Sequence, residues 1–399
     1  MLQLAPYPIR FMRLGIVSPF PPEISGVGQY GWYVSRGLAA SGRFERIVVW
    51  ANQADHARDA VGAGPLTLRR VWRRDDPRAA YHLLRAIAAD RPDALWFNAG
   101  LTIFGRSRLV NFLGLLVPLL ARRMGLPVVV TLHEIFRAAR LPDLGLQDGR
   151  LTHWGVHLTT RLLLEADAVC VTLRRYANLL QAHYGRRNIH HLPHGSFTPI
   201  THLLPPADAP PSETLFFSSL APHRGVAVLM NAFRDVQRRL PQATLAIAGA
   251  DHPRFPGYTA QLRASIKGQR GLRWMGVQSE ASLLKLFARA RIVALPYLAT
   301  SGASSVMARA AAAGRPIVAS DLPDLRAMAE EANLLVDFTP RGDAPALAQT
   351  LTALLENPER QAEMARHNLR AMRTMTLDST CERYADLLTH VAKQEHGRL

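Results

Sequence analysis

Short runs of β-branched apolar residues alternate with helix-forming stretches along nearly the whole chain, and this alternation leaves few folds open. Arg13–Pro19, Ile47–Ala51, Asp93–Phe97, Pro127–Leu132, Ala168–Thr172 and Ile189–Leu192 read as strands, with helices expected over Gln29–Ala40, Ala79–Ala89, Leu109–Met124, Leu151–Ala166 and Arg174–His183 between them. Such alternation predicts a parallel sheet wound on both faces. The pattern pauses over Pro199–Ser212, a proline-rich stretch without periodicity, and then restarts. Strands are expected over Thr214–Ser218, Ala243–Ala248, Leu272–Met275, Arg291–Tyr297, Pro316–Ser320 and Asn333–Val336. Helices are expected over Val226–Leu240, Tyr258–Lys267, Ala281–Arg289, Val306–Ala313, Ala344–Glu356, Glu359–Thr374 and Leu377–Lys393. The 399 residues suit two cores of ordinary size. The expected organisation is a tail over 1–11, a first α/β domain over 12–198, a linker over 199–213 and a second α/β domain over 214–376. A C-terminal helix over 377–399 is expected to pack back on the first domain.

In sheets of this kind ligands bind beyond the carboxyl ends of the strands. Three notable loops fall there in the first half: the glycine loop Ser25–Gly28, His133-Glu134 and His194-Gly195. In the second half Arg291–Asp321 reads as strand, loop, helix, strand. The loop Thr300–Ser305 holds Ser, Gly and Ala, and it feeds a helix whose first turns carry no acid. Unpaired amides, small side chains and the positive end of the helix dipole suit an anion there. An ordinary capped helix start accounts for the same residues.

The formal net charge is +17, and the excess is concentrated in residues 1–200, with 25 arginines against 13 acidic residues. A basic face attracts anionic lipid, nucleic acid or phosphorylated substrates. No nucleic-acid recognition motif accompanies it. Arg69, Arg70, Arg73 and Arg74 read as a solvated basic face. The Leu109–Met124 helix has Arg106 and Arg108 before it and Arg122 and Arg123 after it. It suits either an anionic membrane surface or a sheet-covering role. The longest apolar stretch, Leu109–Leu120, is too short to cross a bilayer. Residues 1–11 make a poor signal peptide. Cys170 and Cys381 lie far apart and form no metal motif, which fits a reducing compartment.

The order of motifs resembles the glycosyltransferase family 4 group of retaining, nucleotide-sugar-dependent enzymes with the GT-B fold. FPPEISGVGQYGWYVSRGLA is similar to that family's first glycine loop and helix, VVVTLHE to its active-site histidine strand, and LPHGSF to its Pro-Asn/His-Gly turn. FFSSLAPHRGVAVLMNAF is similar to the strand, basic loop and helix that open the second domain. IAGAD, WMGVQSEASLLKLFARARIVALPY and AAAGRPIVASD follow in order, so the match runs from Met12 to Ser320. The resemblance implies two Rossmann-like doubly wound domains facing across a cleft, with a helical C-terminal tail. It places the base near Gly276 and Val277, the diphosphate near Arg224 and the Ser301, Gly302, Ala303, Ser304, Ser305 loop, and His133 at the sugar, with Ser219, Gly249 and Arg309 also counted as donor-binding. Gly26, Val27, Gly28 and His194 become acceptor or phosphate loops.

Two departures stand out. Most of the family carries two glutamates around the Thr300–Ser305 loop and its helix. The first supports the transferred sugar and the second holds the donor ribose. Here Ser301 and Arg309 occupy those positions, so the motif is degenerate. The family's Gly-Arg-Leu reads Ser218-Ser219-Leu220, while Arg224 stands where a phosphate-binding lysine is usual. Arg224 can make a bidentate contact. Arg309 is expected either to reach a phosphate in place of the lost arginine or to be an exposed helix residue. It cannot accept from a ribose hydroxyl.

The expected function is therefore retaining transfer of a hexose from a nucleotide-diphosphate sugar to a saccharide or lipid-linked acceptor, in cell-surface polysaccharide or glycoconjugate synthesis. His133 and Ser301 are the expected catalytic residues, with no metal and no other cofactor. The expected location is cytoplasmic, peripheral at the inner face of the membrane, with no nucleic-acid partner. The alternatives are a non-catalytic GT-B binding subunit and a sugar-nucleotide epimerase.

Overall fold

The computed structural model describes residues 12–396 apart from 24, 55–58, 62–63, 136–140, 145, 147, 201–211 and 266–268. The expected tail and most of the expected linker lie outside the described residues. The first domain contains β1 (Met12–Val17), α1 (Gly26–Ala40), β2 (Phe44–Asn52), β3 (Ala60–Val61), β4 (Leu66–Trp72), α2 (Ala79–Asp90) and β5 (Ala94–Ala99). It continues with α3 (Arg108–Leu115), α4 (Val117–Arg123), β6 (Val128–Leu132), α5 (Arg150–Leu163), β7 (Ala168–Val171), α6 (Arg174–Tyr184) and β8 (Ile189–His191).

The sheet order is β3-β4-β2-β1-β5-β6-β7-β8, parallel throughout except where β3 meets β4. The apolar strands β1, β5, β6 and β7 are buried on both faces, as crossover helices on both sides require. Strand order reverses between β1 and β5, so the glycine loop after β1 and the end of β5 flank the switch point where a doubly wound sheet opens its crevice.

The second domain contains β9 (Glu213–Phe217), α7 (Val226–Arg239), β10 (Thr244–Ala248), α8 (Tyr258–Ser265), β11 (Leu272–Gly276), α9 (Glu280–Arg289) and β12 (Ile292–Leu295). Then come α10 (Ser305–Ala312), β13 (Ile317–Ser320), α11 (Pro323–Glu331), β14 (Asp337–Thr339), α12 (Ala344–Leu355) and α13 (Pro358–Met372). Its six parallel strands run β11-β10-β9-β12-β13-β14, with the switch point between β9 and β12. The loops after those two strands carry Arg224 and Ser301.

The final helix, α14 (Leu377–His396), returns to the first domain. Its Tyr384, Ala385 and Leu388 join the core of Leu14, Ile16, Val34 and Leu38. Gly37 of α1 leaves room for the Cys381 thiol, where a Cβ would clash.

Several local expectations need correction. Leu109–Met124 is two helices, because Pro118 has no amide to donate and begins a new helix within the first turn of α4. Leu66–Trp72 is a strand that the basic-face reading missed. Arg69 pairs with Asp90 at 2.7 Å, Arg70 donates to the carbonyl oxygens of Asn52 and Pro21, and Arg74 pairs with Glu23 at 2.5 Å. Arg69, Arg70 and Arg74 thus tie β4 and its end to α2, β2 and the loop after β1, while Arg73 is exposed as expected. The strand expected at Asn333–Val336 falls at Asp337–Thr339, because α11 ends only at Glu331 and Asn333 turns the chain with φ +50°.

Candidate active site

Helix α10 starts at the carboxyl edge of the second sheet, and the loop before it meets the loop after β6 across the cleft. The Ile135 amide donates to the Ser301 carbonyl oxygen at 3.1 Å. Beside it Gly302 lies against the His133 carbonyl oxygen so closely that any Cβ would overlap it. The two positions expected to be catalytic, His133 and Ser301, therefore come together from opposite domains.

The tautomer of His133 follows from its neighbours. Asn98, the last polar residue of β5, donates through Nδ2 to the Val27 carbonyl oxygen at 2.8 Å and to Ser18 Oγ at 2.9 Å. That orientation leaves Asn98 Oδ1 facing His133 Nε2 at 2.6 Å, so Nε2 carries the proton and donates. Nδ1 is then the acceptor, able to take a hydrogen bond from a hydroxyl. Burial, with nearby His194, holds the imidazole down to about 3, so it is neutral at physiological pH. Asn98 also ties the glycine loop to His133. Sequence reasoning missed it, although a polar residue closing an apolar strand was the available signal.

In the glycine loop, Ser25 caps α1 by accepting from the Gly28 amide at 2.8 Å. Gly26 faces open space, Val27 is held through its carbonyl by Asn98, and a Cβ at Gly28 would crowd Ser25 and Pro19. His194 is placed differently from the expected phosphate loop. It is buried against Tyr30 at 5.1 Å and Phe197 at 4.8 Å, and its imidazole is depressed to about 4 by burial. It lines a small cavity with Ala303, Met328 and Glu331 between the domains. It is a packed histidine, not one presented on an open loop.

On the second domain, Arg224 closes a 3-10 turn over Pro222–Arg224, and its guanidinium lies 4.8 Å from the Tyr297 ring centroid. Among the described residues, Arg224 Nε and Arg254 Nη1 are buried without a hydrogen-bond partner. Arg254 was not singled out from the sequence. Its loop runs beside Ser219-Leu220, with the Leu220 amide on the Ala250 carbonyl oxygen at 2.7 Å and the His252 amide on the Leu220 carbonyl oxygen at 2.8 Å. It brings an arginine to the region where Ser219 brings none.

Arg224 and Arg254 both act electrostatically on Glu134, which enters from the first domain, but burial dominates and raises the Glu134 carboxyl. His223 and His252 stand 5.9 Å apart by ring centroids. Burial first, then the arginine charges, depress them to about 3 and about 4. The cluster is a positively charged pocket lined by neutral imidazoles, suited to an anion.

The remaining expected donor residues sort by local structure. Gly249, with φ +130°, packs against the Ser218 carbonyl oxygen, where no Cβ fits, and donates to the Gly276 carbonyl oxygen at 2.8 Å. Gly276, with φ +63°, is open above, and Val277 is exposed. Ser304 caps α10 by accepting from the Met307 amide at 3.2 Å, and Ser305 begins that helix. Ala303 packs against the core. Arg309 differs from both expectations. It is buried, and its guanidinium forks onto Glu280 at 2.9 and 3.1 Å, so it is neither an exposed helix arginine nor an uncommitted phosphate ligand. Among the described residues no group of three or more His, Cys, Asp or Glu side chains is arranged to hold a metal ion.

Two doubly wound α/β domains, with their strand carboxyl edges meeting at a cleft and a helix returning from the second to the first, define the GT-B class. Residues 25–195 match the profile of the glycosyl transferase 4-like domain, and residues 211–357 match that of the glycosyl transferases group 1. The chain belongs to this glycosyltransferase family.

It is 31% identical over 137 residues to the phosphatidyl-myo-inositol mannosyltransferase of Mycobacterium leprae, an alignment spanning 34% of this chain and 35% of the relative. That is about a third of the relative's own length. The sucrose-phosphate synthase of Thermosynechococcus elongatus superposes with a TM-score of 0.76 at 14% identity, covering 95% of this chain and 99% of that one. Anabaena HepE, solved in complex with UDP and glucose, superposes with a TM-score of 0.70 at 16% identity over 95% and 99%. These two likenesses concern the fold.

Proposed function

We propose that the protein is a retaining glycosyltransferase that moves a sugar from a nucleotide-diphosphate donor, held by the second domain, to a saccharide or lipid-linked acceptor on the first. The observation that carries this reading is the cleft itself. A neutral, orientation-fixed His133 meets the Ser301–Gly302 backbone beside the cationic pocket of Arg224 and Arg254. The arginines and the α10 amides offer positive charge to a departing diphosphate, so in this reading the leaving group needs no metal. His133 Nδ1 accepts from a hydroxyl of the transferred sugar. The meeting of the two domains excludes water, which limits hydrolysis of the donor.

The name of the mycobacterial relative, which acts on phosphatidyl-myo-inositol, supports a lipid-linked acceptor. No helix among the described residues is long and apolar enough to cross a membrane. Peripheral contact with an anionic cytoplasmic leaflet finds support at the first-domain rim. Leu109 in α3 is 63% exposed, and Leu151 and Trp154 in α5 are 79% and 64% exposed. Arginines open both helices, and neither has an acid in its first turn.

A melting-temperature screen against UDP-, GDP-, ADP- and TDP-sugars tests the donor reading, because a ligand bound only by the folded state raises the transition. The expected result is a shift with one nucleotide class, followed by product whose anomeric configuration by NMR matches the donor. Binding without any transfer would favour the non-catalytic alternative, which the two missing carboxylates at Ser301 and Arg309 motivate.

A further inference from the structure

The ion pair between Arg309 and Glu280 is buried unequally. The Arg309 side chain is 3% exposed and that of Glu280 41%. Behind the guanidinium stand first-domain residues, with the rings of Tyr33 and Phe197 each 5.7 Å from its centre and Thr198 Oγ1 3.3 Å from Nη1. A guanidinium so enclosed needs an anion beside it, and the fork geometry then fixes where that anion's oxygens lie. The pair thus has a closed cationic end and an open anionic end.

The open end sits at the ligand-binding edge. Glu280 is the first residue of α9, which follows the Gly276–Val277 turn after β11, and Arg309 lies in the second turn of α10. Arg309 is four residues into a helix whose amino end faces the anion pocket, a displacement of about 6 Å along the axis. That is the scale that separates a phosphate from the hydroxyls of the ribose carrying it. A carboxylate offers about four lone-pair positions. Arg309 takes one on each oxygen. Two positions remain, one on each oxygen, as a pair of vicinal hydroxyls requires.

We propose that Glu280, oriented by Arg309, is the carboxylate that accepts hydrogen bonds from the vicinal ribose hydroxyls of a nucleoside diphosphate. This rests on the donor-site reading above. The chain has exchanged charges, with the helix position expected to bear the carboxylate holding an arginine whose task is to present a carboxylate from the neighbouring helix. Glu280 contacts the ligand in this arrangement, and Arg309 is a positioning residue.

The test titrates the full-length protein with UDP, GDP and ADP and with their 2′-deoxy counterparts. For the wild type, the nucleotide that binds is expected to bind about tenfold or more tightly than its deoxy form, the effect of one hydrogen bond to a charged group. In Glu280→Gln the affinity for the ribonucleotide falls more than that for the deoxy form, which has only its 3′-hydroxyl contact to lose, so the ratio between the two collapses toward one. Arg309→Lys, which keeps the charge without the fork, loses part of the discrimination, again with a smaller loss for the deoxy form than for the ribonucleotide. Equal weakening of both ligands in Glu280→Gln, or a wild type that does not discriminate, overturns the proposal and leaves the donor site standing. A wild type that binds no nucleotide overturns both.

Discussion

Asp324 of the second domain accepts the phenolic hydroxyl of Tyr176, from the first domain, at 2.6 Å. The carboxylate is 3% exposed and also receives Arg175 Nη1 at 2.6 Å and the Thr300 hydroxyl at 2.9 Å. Burial raises this carboxyl, and its donors oppose that shift. Because Thr300 immediately precedes Ser301, one side chain fixes both the approach of the domains and the loop that meets His133. Nearby, the Glu331 carboxylate accepts the Arg174 amide at 2.8 Å and lies 3.0 Å from His191, a second tie between the same elements.

Removing the Tyr176 hydroxyl leaves Asp324 short of one donor. Tyr176→Phe is expected to cost about 1.5–3 kcal/mol in denaturant unfolding, the scale of a hydrogen bond to a charged group. Asp324→Ala, which strands the partners of a buried charge, is expected to cost about 3–5 kcal/mol. Losses within about 0.5 kcal/mol for both, measured by urea titration, would remove this contact from the account of domain closure.

Gly302→Ala tests the contact at the cleft. The added methyl must push the loop away from the His133 carbonyl oxygen, opening the Ile135–Ser301 bond. Misplacement on the ångström scale costs about 100-fold in turnover. The expected variant keeps its melting temperature within a few degrees and loses about that much kcat. Wild-type turnover would mean that the two loops separate during the reaction.

Asn98→Ala frees His133 to adopt either tautomer. Turnover is expected to fall about tenfold or more, with donor affinity nearly unchanged, and His133→Ala is expected to show the same split. Steady-state kinetics alongside a binding titration checks it. A pure loss of binding would reassign both residues to holding the donor.

Arg224→Ala is expected to weaken nucleotide-sugar binding by about 1.5–3 kcal/mol, and Arg254→Ala by a similar amount. Non-additivity in the double variant would show that the two grip one anion. Unchanged affinity in folded Arg224→Ala would take it out of the donor site.

Acid should destabilise the protein in a defined window. Burial depresses His133 and His223 to about 3, and His194 and His252 to about 4. In the unfolded chain these groups titrate near about 6.5. Between those values the unfolded state binds more protons, so stability falls as pH drops below about 6.5 and the loss is complete only below the folded values. The melting temperature is expected to fall from pH 7 to pH 4.5, more gently in His252→Asn. A flat profile would mean that these imidazoles are solvated.

The alternation of strands and helices made the two sheets readable, because buried parallel strands must be apolar and β-branched whatever else they do. Leu66–Trp72 escaped because its arginines face partners, Asp90 and Asn52, that no local pattern reveals. Loop residues at strand ends were legible as a set: Ser25–Gly28, His133, Arg224 and Ser301 all lie at strand carboxyl edges. What the chain could not show was pairing at a distance. Arg309 looked like a phosphate ligand or a surface residue because Glu280, nearly thirty positions earlier, gives no local sign of being its partner. Asn98, Arg254 and Asp324 were passed over for the same reason. Each is a single polar residue in an unremarked stretch, and its importance comes from what another segment brings to it.

The helix from Leu377 onward supplies Tyr384, Ala385 and Leu388 to the core beneath α1, with the Tyr384 hydroxyl 3.1 Å from that of Tyr30. A ribosome makes α1 and its sheet well before this helix. The first domain therefore emerges with an apolar face uncovered and keeps it so while the whole second domain is synthesised. Its final packing must wait until the second domain has been made, so the core beneath α1 closes late however early its own strands emerge.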